Sequence, residues 1–242
     1  MKAVDSMASG DETSKPAQSQ ALRVLAIDVG GSHVKIQCDA TGDERTSVSG
    51  PKMTAAEMVK KVKSMAEGLQ FDAITMGYPG PVLHNRILAE PFNLGAGWTS
   101  FDFAAAFNAP LRIVNDAMMQ AVGSYNGGRM LFLGLGTGLG AAMVIDNVCV
   151  PLEVGHLPYR KGRSFEDYLS EASLEKRGRT KWRKHVFRVA DLMMRAFRPD
   201  YIVLGGGNVD RLDKLPPNAI RGDNANAFTG GFRIWTDTRL VL

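Results

Sequence analysis

Val24-Leu25-Ala26-Ile27-Asp28-Val29-Gly30-Gly31-Ser32-His33-Val34-Lys35 is the stretch whose reading decides the fold. Val24 to Ile27 is an apolar run of the kind that forms a buried strand. Val34 and Ile36 alternate with polar neighbours, as the second arm of a hairpin does. Two glycines therefore occupy a tight turn between strands, with Asp28 before them and Ser32 after them. Glycine lets the backbone approach an oxyanion closely and aim amide N–H groups at it. Asp28, at the strand end, could hold a hydrated Mg²⁺ beside that anion. The turn is not a Walker loop, because no G-x-x-x-x-G-K-[ST] occurs in the chain. Taken alone it is an ordinary hairpin turn, and its weight depends on what recurs downstream.

The pattern does recur. Met130 to Leu135 reads as a strand, breaks at Gly134-Leu135-Gly136-Thr137-Gly138-Leu139-Gly140, and resumes from Ala141 to Ile145. Strand, glycine turn with a hydroxyl, strand: this points to a duplicated architecture. A third glycine run, Gly205-Gly206-Gly207-Asn208, follows the strand-like Tyr201 to Leu204 and is expected to lead into a helix, whose N-terminal amides suit an anion or nucleotide. A Rossmann unit is disfavoured because strand-like sequence follows the Gly134 run.

Composition bounds the rest. The 242 residues suffice for one large domain or two small ones, and 45% hydrophobic with 22% charged content is that of a globular protein. The net charge of +4 suggests an anionic partner without identifying it. Nucleic acid is disfavoured, since the glycines are not interleaved with exposed aromatics. Cys38 and Cys149 are the only cysteines, read as two buried thiols; their number excludes a disulfide scaffold or a Cys-rich zinc site. No apolar run reaches the length of a membrane span and no secretion signal is evident, so a reducing cytoplasm is the expected compartment. Residues 1–20 read as a disordered tail.

Between the glycine turns, Thr54 and Glu57 form a capping-box pattern before a helix running to about Gly68, and Phe71 to Tyr78 reads as a strand. Leu111 to Val114 is a buried strand running into Asn115-Asp116, with a helix from Ala117 to Tyr125. Phe165 to Leu174 looks helical, and Asn224 to Trp235 carries a weak helical signal. Asp116 is either a helix cap or a general base. Phosphoryl transfer to an alcohol needs such a carboxylate, with the phosphate held by amides and Mg²⁺. Glu153, His156 and Glu166 suit the donors and acceptors of a sugar. From Lys176 to Arg188 there are seven Lys/Arg and no acid, on an expected amphipathic helix. That run is either a solvated helix face or a track for a polyanion longer than ATP.

The order of these motifs resembles the ROK sugar kinases of the actin/hexokinase superfamily, and within them the polyphosphate glucokinase branch. The resemblance covers roughly Leu22 to Asp210 and rests on Ile27-Asp28-Val29-Gly30-Gly31-Ser32, Tyr78-Pro79-Gly80-Pro81, Asn93 with Trp98, Asn115-Asp116, Leu135-Gly136-Thr137-Gly138, Glu153-x-Gly155-His156 and Gly205-Gly206-Gly207. It implies an α/β fold of the two-lobed, actin-like ATPase (ribonuclease H-like) type with a cleft between lobes, one spanning 21–115 and the other 116–242, hinged near Asn115 to Gly123. It implies Asp116 as catalytic base on the sugar 6-hydroxyl, and Asn93, Asn115, Glu153, His156 and Glu166 as substrate-binding residues. Asp28, Gly30, Gly31, Ser32, Lys35, Gly136, Thr137 and Gly138 would bind phosphate, and Gly205, Gly206 and Gly207 a nucleotide. Lys176, Arg177, Arg179, Lys181 and Lys184 would form the polyphosphate track. The implied cofactor is Mg²⁺, the donor polyphosphate and/or ATP, the acceptor a hexose, first glucose, and the assembly a homodimer. Leu157 to Phe165 holds no cysteine where many ROK members carry zinc, so zinc is not expected. His33 stands where the family commonly has glycine. The alternatives are an ATP-only hexokinase or mannokinase, a catalytically idle sugar-binding protein, and a phosphohydrolase cleaving polyphosphate with water.

Overall fold

The opening hairpin forms as its alternation requires. β1 (Val24–Val29) pairs antiparallel with β2 (His33–Cys38), setting Ile27 opposite Ile36 and Asp28 opposite Lys35. The computed structural model describes residues 21–242, so the expected tail over 1–20 lies outside the described residues. β3 (Glu44–Val48) extends the meander. The capping box at Thr54 and Glu57 is complete, and it starts α1 (Ala55–Met65), which buries Ala55, Met58, Val59 and Val62. Thr54→Ala removes that cap and should cost about 1 kcal/mol. A melting temperature lower by roughly 2–4 °C in a circular-dichroism scan is expected; an unchanged one would show that the box contributes nothing.

β4 (Ala73–Tyr78), buried at every position, then pairs parallel with β1. A two-stranded flap, β5 (Val82–Leu83) and β6 (Arg86–Ile87), and the short α2 (Phe103–Phe107) precede β7 (Leu111–Asn115), which pairs parallel with β4. The first sheet thus has the order β3-β2-β1-β4-β7.

After α3 (Asp116–Ser124) the same plan repeats. β8 (Arg129–Leu135), β9 (Leu139–Ile145) and β10 (Val148–Leu152) form the second meander. A small hairpin, β11 (Pro158–Arg160) with β12 (Arg163–Ser164), leads to α4 (Glu166–Leu169), α5 (Glu171–Arg177) and α6 (Arg179–Phe197). β13 (Tyr201–Gly205) and β14 (Ala219–Arg221) complete a sheet ordered β10-β9-β8-β13-β14. Each sheet is an antiparallel meander with two parallel strands added beside its first strand, so the duplication read from the glycine turns extends to whole-sheet topology.

Three local expectations are corrected. The helix expected over Phe165 to Leu174 is two helices, because Ser170 is extended at ψ 164. The basic run is likewise not on one helix. Gly178, at φ 75 and ψ 155, divides it between α5 and α6 in a backbone conformation that suits glycine. The third glycine run leads only to a 3₁₀ turn, Val209–Arg211, and not to a helix N-terminus. Pro216 and Pro217 close off helical continuation there.

The weakly signalled C-terminal helix is well formed as α7 (Asn226–Thr236). It lies against α3 and the first sheet, although it follows the second in sequence. Thr75 Oγ1 donates to Gly231 O at 2.7 Å, and Trp235 Nε1 to Ile74 O at 3.3 Å. A third apolar core, including Met119, Val122, Phe132, Val144, Ala227 and Ile234, fills the space between the two sheet cores. Cys38 and Cys149 are buried free thiols.

Candidate active site

Each glycine hairpin is closed by a backbone amide of a glycine, over different spans. Gly30 N–H donates to His33 O at 2.9 Å, and Gly136 N–H donates to Gly138 O at 3.1 Å. The first glycine amide of each turn is therefore spent on the turn itself. The following amides, of Gly31 and Ser32 in one turn and Thr137 and Gly138 in the other, have no protein acceptor among the described residues. The Gly30 and Gly136 amides are thus bonded within the turns, and these two residues shape the loops that present the others. Lys35 shares a sheet face with Asp28, but its ammonium is paired with Glu44 at 2.9 Å. His33 is exposed at the start of β2.

The loop after β6 packs on the first turn: a Cβ on Gly31 would lie 3.1 Å from Asn93 Cβ. Glu90 ties this loop by accepting the N–H groups of Trp98 at 3.0 Å and Thr99 at 3.1 Å. Trp98 is buried against Tyr78 and Phe103. Asn93 stays exposed, and Phe92 beside it reaches across to the other lobe, its ring centroid 5.8 Å from that of His156.

At the end of β7 the choice between cap and base resolves. Asn115 is the cap: its Oδ1 accepts Met118 N–H at 3.1 Å, and its Nδ2 donates to Gly80 O at 3.1 Å. Asn115 is buried and bonded at both ends of its amide, which anchors the start of α3 and leaves one N–H and one lone pair of that amide unused. Asp116 is thereby freed from capping. Its Oδ1 accepts the N–H of its neighbour Ala117, at 2.7 Å.

Asp116 faces company of its own sign. Desolvation first, then the charge of Asp28 and that of Glu153, raises its pKa to about 7, against two backbone hydrogen bonds that lower it. Desolvation raises Asp28 to about 6, offset in part by Lys35. Glu153 is also raised, by desolvation, with His156 opposing and Glu166 adding to the shift. Asp28 and Glu153 thus act on Asp116, and His156 and Glu166 act on Glu153, which sets these five side chains in one neighbourhood. Glu166 begins α4, and its Oε2 accepts Leu139 N–H at 3.0 Å, directly beside the second glycine turn.

The third glycine run buttresses that turn. Asn208 N–H donates to Leu135 O at 2.9 Å, and its Nδ2 to Gly136 O at 3.3 Å. A Cβ on Gly206, whose φ is +81, would meet Leu135 O at 2.6 Å. Gly207 is exposed. The role of Asn208 was missed in the sequence, where it passed for the end of a glycine run.

The ROK family model matches residues 24–186. The chain belongs to the ROK family. Two similar relatives are polyphosphate glucokinases. That of Mycobacterium tuberculosis strain H37Rv is 28% identical over 231 residues, covering 86% of each chain. That of Mycobacterium leprae is 26% identical over 240 residues, covering 88% of this chain and 73% of the relative. Among solved structures, the inorganic polyphosphate/ATP-glucomannokinase of Arthrobacter sp. strain KM superposes with a TM-score of 0.72 at 22% identity, covering 87% of this chain and 97% of that one. A ROK family glucokinase from Streptomyces griseus, in complex with glucose and AMPPNP, gives 0.72 at 17% identity, covering 89% and 99%. The two repeated sheets are those of the actin-like ATPase fold that these ROK structures share.

The glycines of the second turn make a paired prediction. A Cβ on Gly138 would sit 2.5 Å from Glu166 Oε2, whereas one on Gly136 meets nothing within 4 Å. Gly138→Ala should displace the Glu166 carboxylate and lower kcat/KM for the acceptor by about tenfold, on the order of 1.4 kcal/mol. Gly136→Ala should fold normally and change that quantity little. Equal acceptor kinetics for the two variants in steady-state assays would disconnect Glu166 from the acceptor.

Proposed function

We propose that this protein is a hexose kinase, transferring a phosphoryl group from polyphosphate and/or ATP to the 6-hydroxyl of a hexose, with glucose as the first candidate. The observation that carries the reading is Asp116: a carboxylate excused from capping, its pKa raised to about 7 in part by Asp28, which directly precedes the first of two turns that each leave amides unbonded. A general base works best with a pKa near the working pH. Asp116 takes the proton of the sugar hydroxyl as its oxygen bonds to phosphorus, and the bond from phosphorus to the donor's bridging oxygen breaks. The amides of Gly31, Ser32, Thr137 and Gly138 stabilise charge on the phosphate oxygens. Asn93, Glu153, His156 and Glu166 orient the sugar, and approach of the lobes excludes water. Mg²⁺ fits the donor set, since the charge of Asp28 helps to raise the pKa of Asp116 and a divalent cation would relieve that repulsion. Asp28 would hold it, and it would neutralise phosphate charge.

Polyphosphate is favoured as donor over a nucleotide by the third glycine run. With a 3₁₀ turn in place of a helix start, Gly205 to Gly207 offer little to hold a base, and a donor without one asks nothing of that stretch. The names of the curated relatives support the same reading. The test is hexose-6-phosphate formation from a panel of hexoses, with ATP and polyphosphate assayed in parallel. No product from any pair would overturn the proposal.

A further inference from the structure

A depression of about 320 Å³ outside the cleft is lined entirely by Arg160, Arg177, Lys181, Lys184, His185 and Arg188. No carboxylate lines it, and among the described residues none of its five Arg and Lys side chains makes a salt bridge; burial and the neighbouring arginines lower the pKa of His185, so its ring is not counted with them. Like charges gathered without counter-charges repel one another, so the cluster is offset only when an anion enters.

The remaining cations of the same helix behave otherwise. Arg179 and Arg183 both pair with Asp213, and Arg179 also donates to Arg211 O at 2.6 Å. The expected track is thus divided. One face of α6, with Lys181, Lys184, His185 and Arg188 at helical spacing, is free for an anion, while Arg179 faces away from it. Arg160 reaches the depression from β11 and Arg177 from α5.

The depression has a physical connection to the second phosphate turn. Glu171 N–H, at the start of α5, donates to Gly136 O at 2.9 Å. Arg177, at the other end of that seven-residue helix, is about 10 Å further on at 1.5 Å per residue. The Arg177 guanidinium lies 4.0 Å from the centroid of the Tyr168 ring, and Tyr168 packs on His185 with centroids 4.6 Å apart. Tyr168 follows Glu166 in α4, so the ring that supports Arg177 and His185 and the acceptor-side carboxylate share one short helix.

We propose that this basic depression binds the distal part of a linear polyphosphate donor whose reacting end lies at Gly136 to Gly138. The proposal rests on the donor reading above. It names Arg160, His185 and Arg188 as residues of the donor path and leaves Lys176 and Arg179, which do not line the depression, out of it. A triphosphate is held at the turns alone, whereas a longer chain gains the depression as a second anchor, so that kcat/KM rises with chain length until the span is covered.

The test uses the full chain and the double variant Arg160→Glu/Arg188→Glu, with Arg160→Gln/Arg188→Gln as the milder pair. Binding of long-chain polyphosphate is measured by equilibrium dialysis over a range of salt. Turnover is compared between long-chain polyphosphate and tripolyphosphate. The expected result is binding weakened at least tenfold, with a shallower salt dependence. The ratio of kcat/KM for the long chain over that for tripolyphosphate should fall by a similar factor, a ratio that cancels any general loss of activity. If the wild type uses polyphosphate and the variants bind it as tightly, the depression is overturned while the donor reading stands. If the wild type binds the long chain through these residues but makes no hexose phosphate from it, the donor reading fails and the depression stands. Absence of binding by the wild type, or displacement by an equal charge of single-stranded DNA, overturns the proposal.

Discussion

Replacing Asp116 by Asn is expected to lower hexose phosphorylation by about 10²–10⁴-fold while leaving hexose affinity, measured calorimetrically, essentially intact. The amide fills the same volume and still accepts the Ala117 N–H, but it cannot take the proton of the hydroxyl. In the unsubstituted protein the base must be ionised, so kcat/KM should rise with pH through about 7, the value to which desolvation, Asp28 and Glu153 raise Asp116. The same shift has a stability consequence of opposite sign. The folded state binds this proton more tightly than the unfolded chain, so its ionisation costs stability as pH rises from the ordinary aspartate range through 7. Asp116→Asn should therefore melt higher than the wild type at pH 8, by on the order of 1 kcal/mol or roughly 2–4 °C, and the advantage should vanish near pH 4. Full turnover in the variant would sink the mechanism. A melting temperature that does not change with this substitution at pH 8 would sink the account of the raised pKa.

The second large effect concerns packing. α3 and α7 cross at Gly123 and Gly230 with no room for a methyl group: a Cβ on Gly230 would lie 1.8 Å from Met119 O, and one on Gly123 1.9 Å from Asn226 O. These are backbone atoms, so the helices themselves must move apart. Gly230→Ala should destabilise the protein by more than about 3 kcal/mol, beyond the usual range for overpacking because no side chain can yield. The midpoint in urea would fall accordingly. Activity should fall with it, since α7 also packs on β1, where a Cβ on Gly231 would meet Ala26 Cβ at 2.6 Å, and β1 carries Asp28. Gly207→Ala is the control, because nothing lies within 4 Å of its added Cβ. Equal urea midpoints for the two variants would overturn this view of the crossing.

The site was legible in part. Asp28, Asp116, Glu153, His156 and Glu166 stand out in local patterns, and the charges of Asp28 and Glu153 acting on Asp116, with His156 and Glu166 acting on Glu153, set them in one neighbourhood. The basic depression could also have been found, because Lys181, Lys184, His185 and Arg188 are spaced for one helical face. Counting charges along the run concealed that phase and let Arg179 in. A strand-end Asn-Asp pair does not say which residue caps the following helix, and only the structure gives that role to Asn115.

The sequence alone determined what depends on neighbours in the chain: two glycine hairpins, the Thr54 capping box, the alternation of β2 and the apolar faces of α1 and α6. Backbone sterics and burial of an apolar face decide these over a few residues. Only the tertiary structure decided the rest. It bonded Lys35 to Glu44, laid Asn208 on the second turn, sent α7 back to the first sheet and set Arg160 among the cations of α6. Each of these joins residues from different strands, helices or loops. Which partners meet is set by how the sheets and helices pack as a whole, and no local pattern records it.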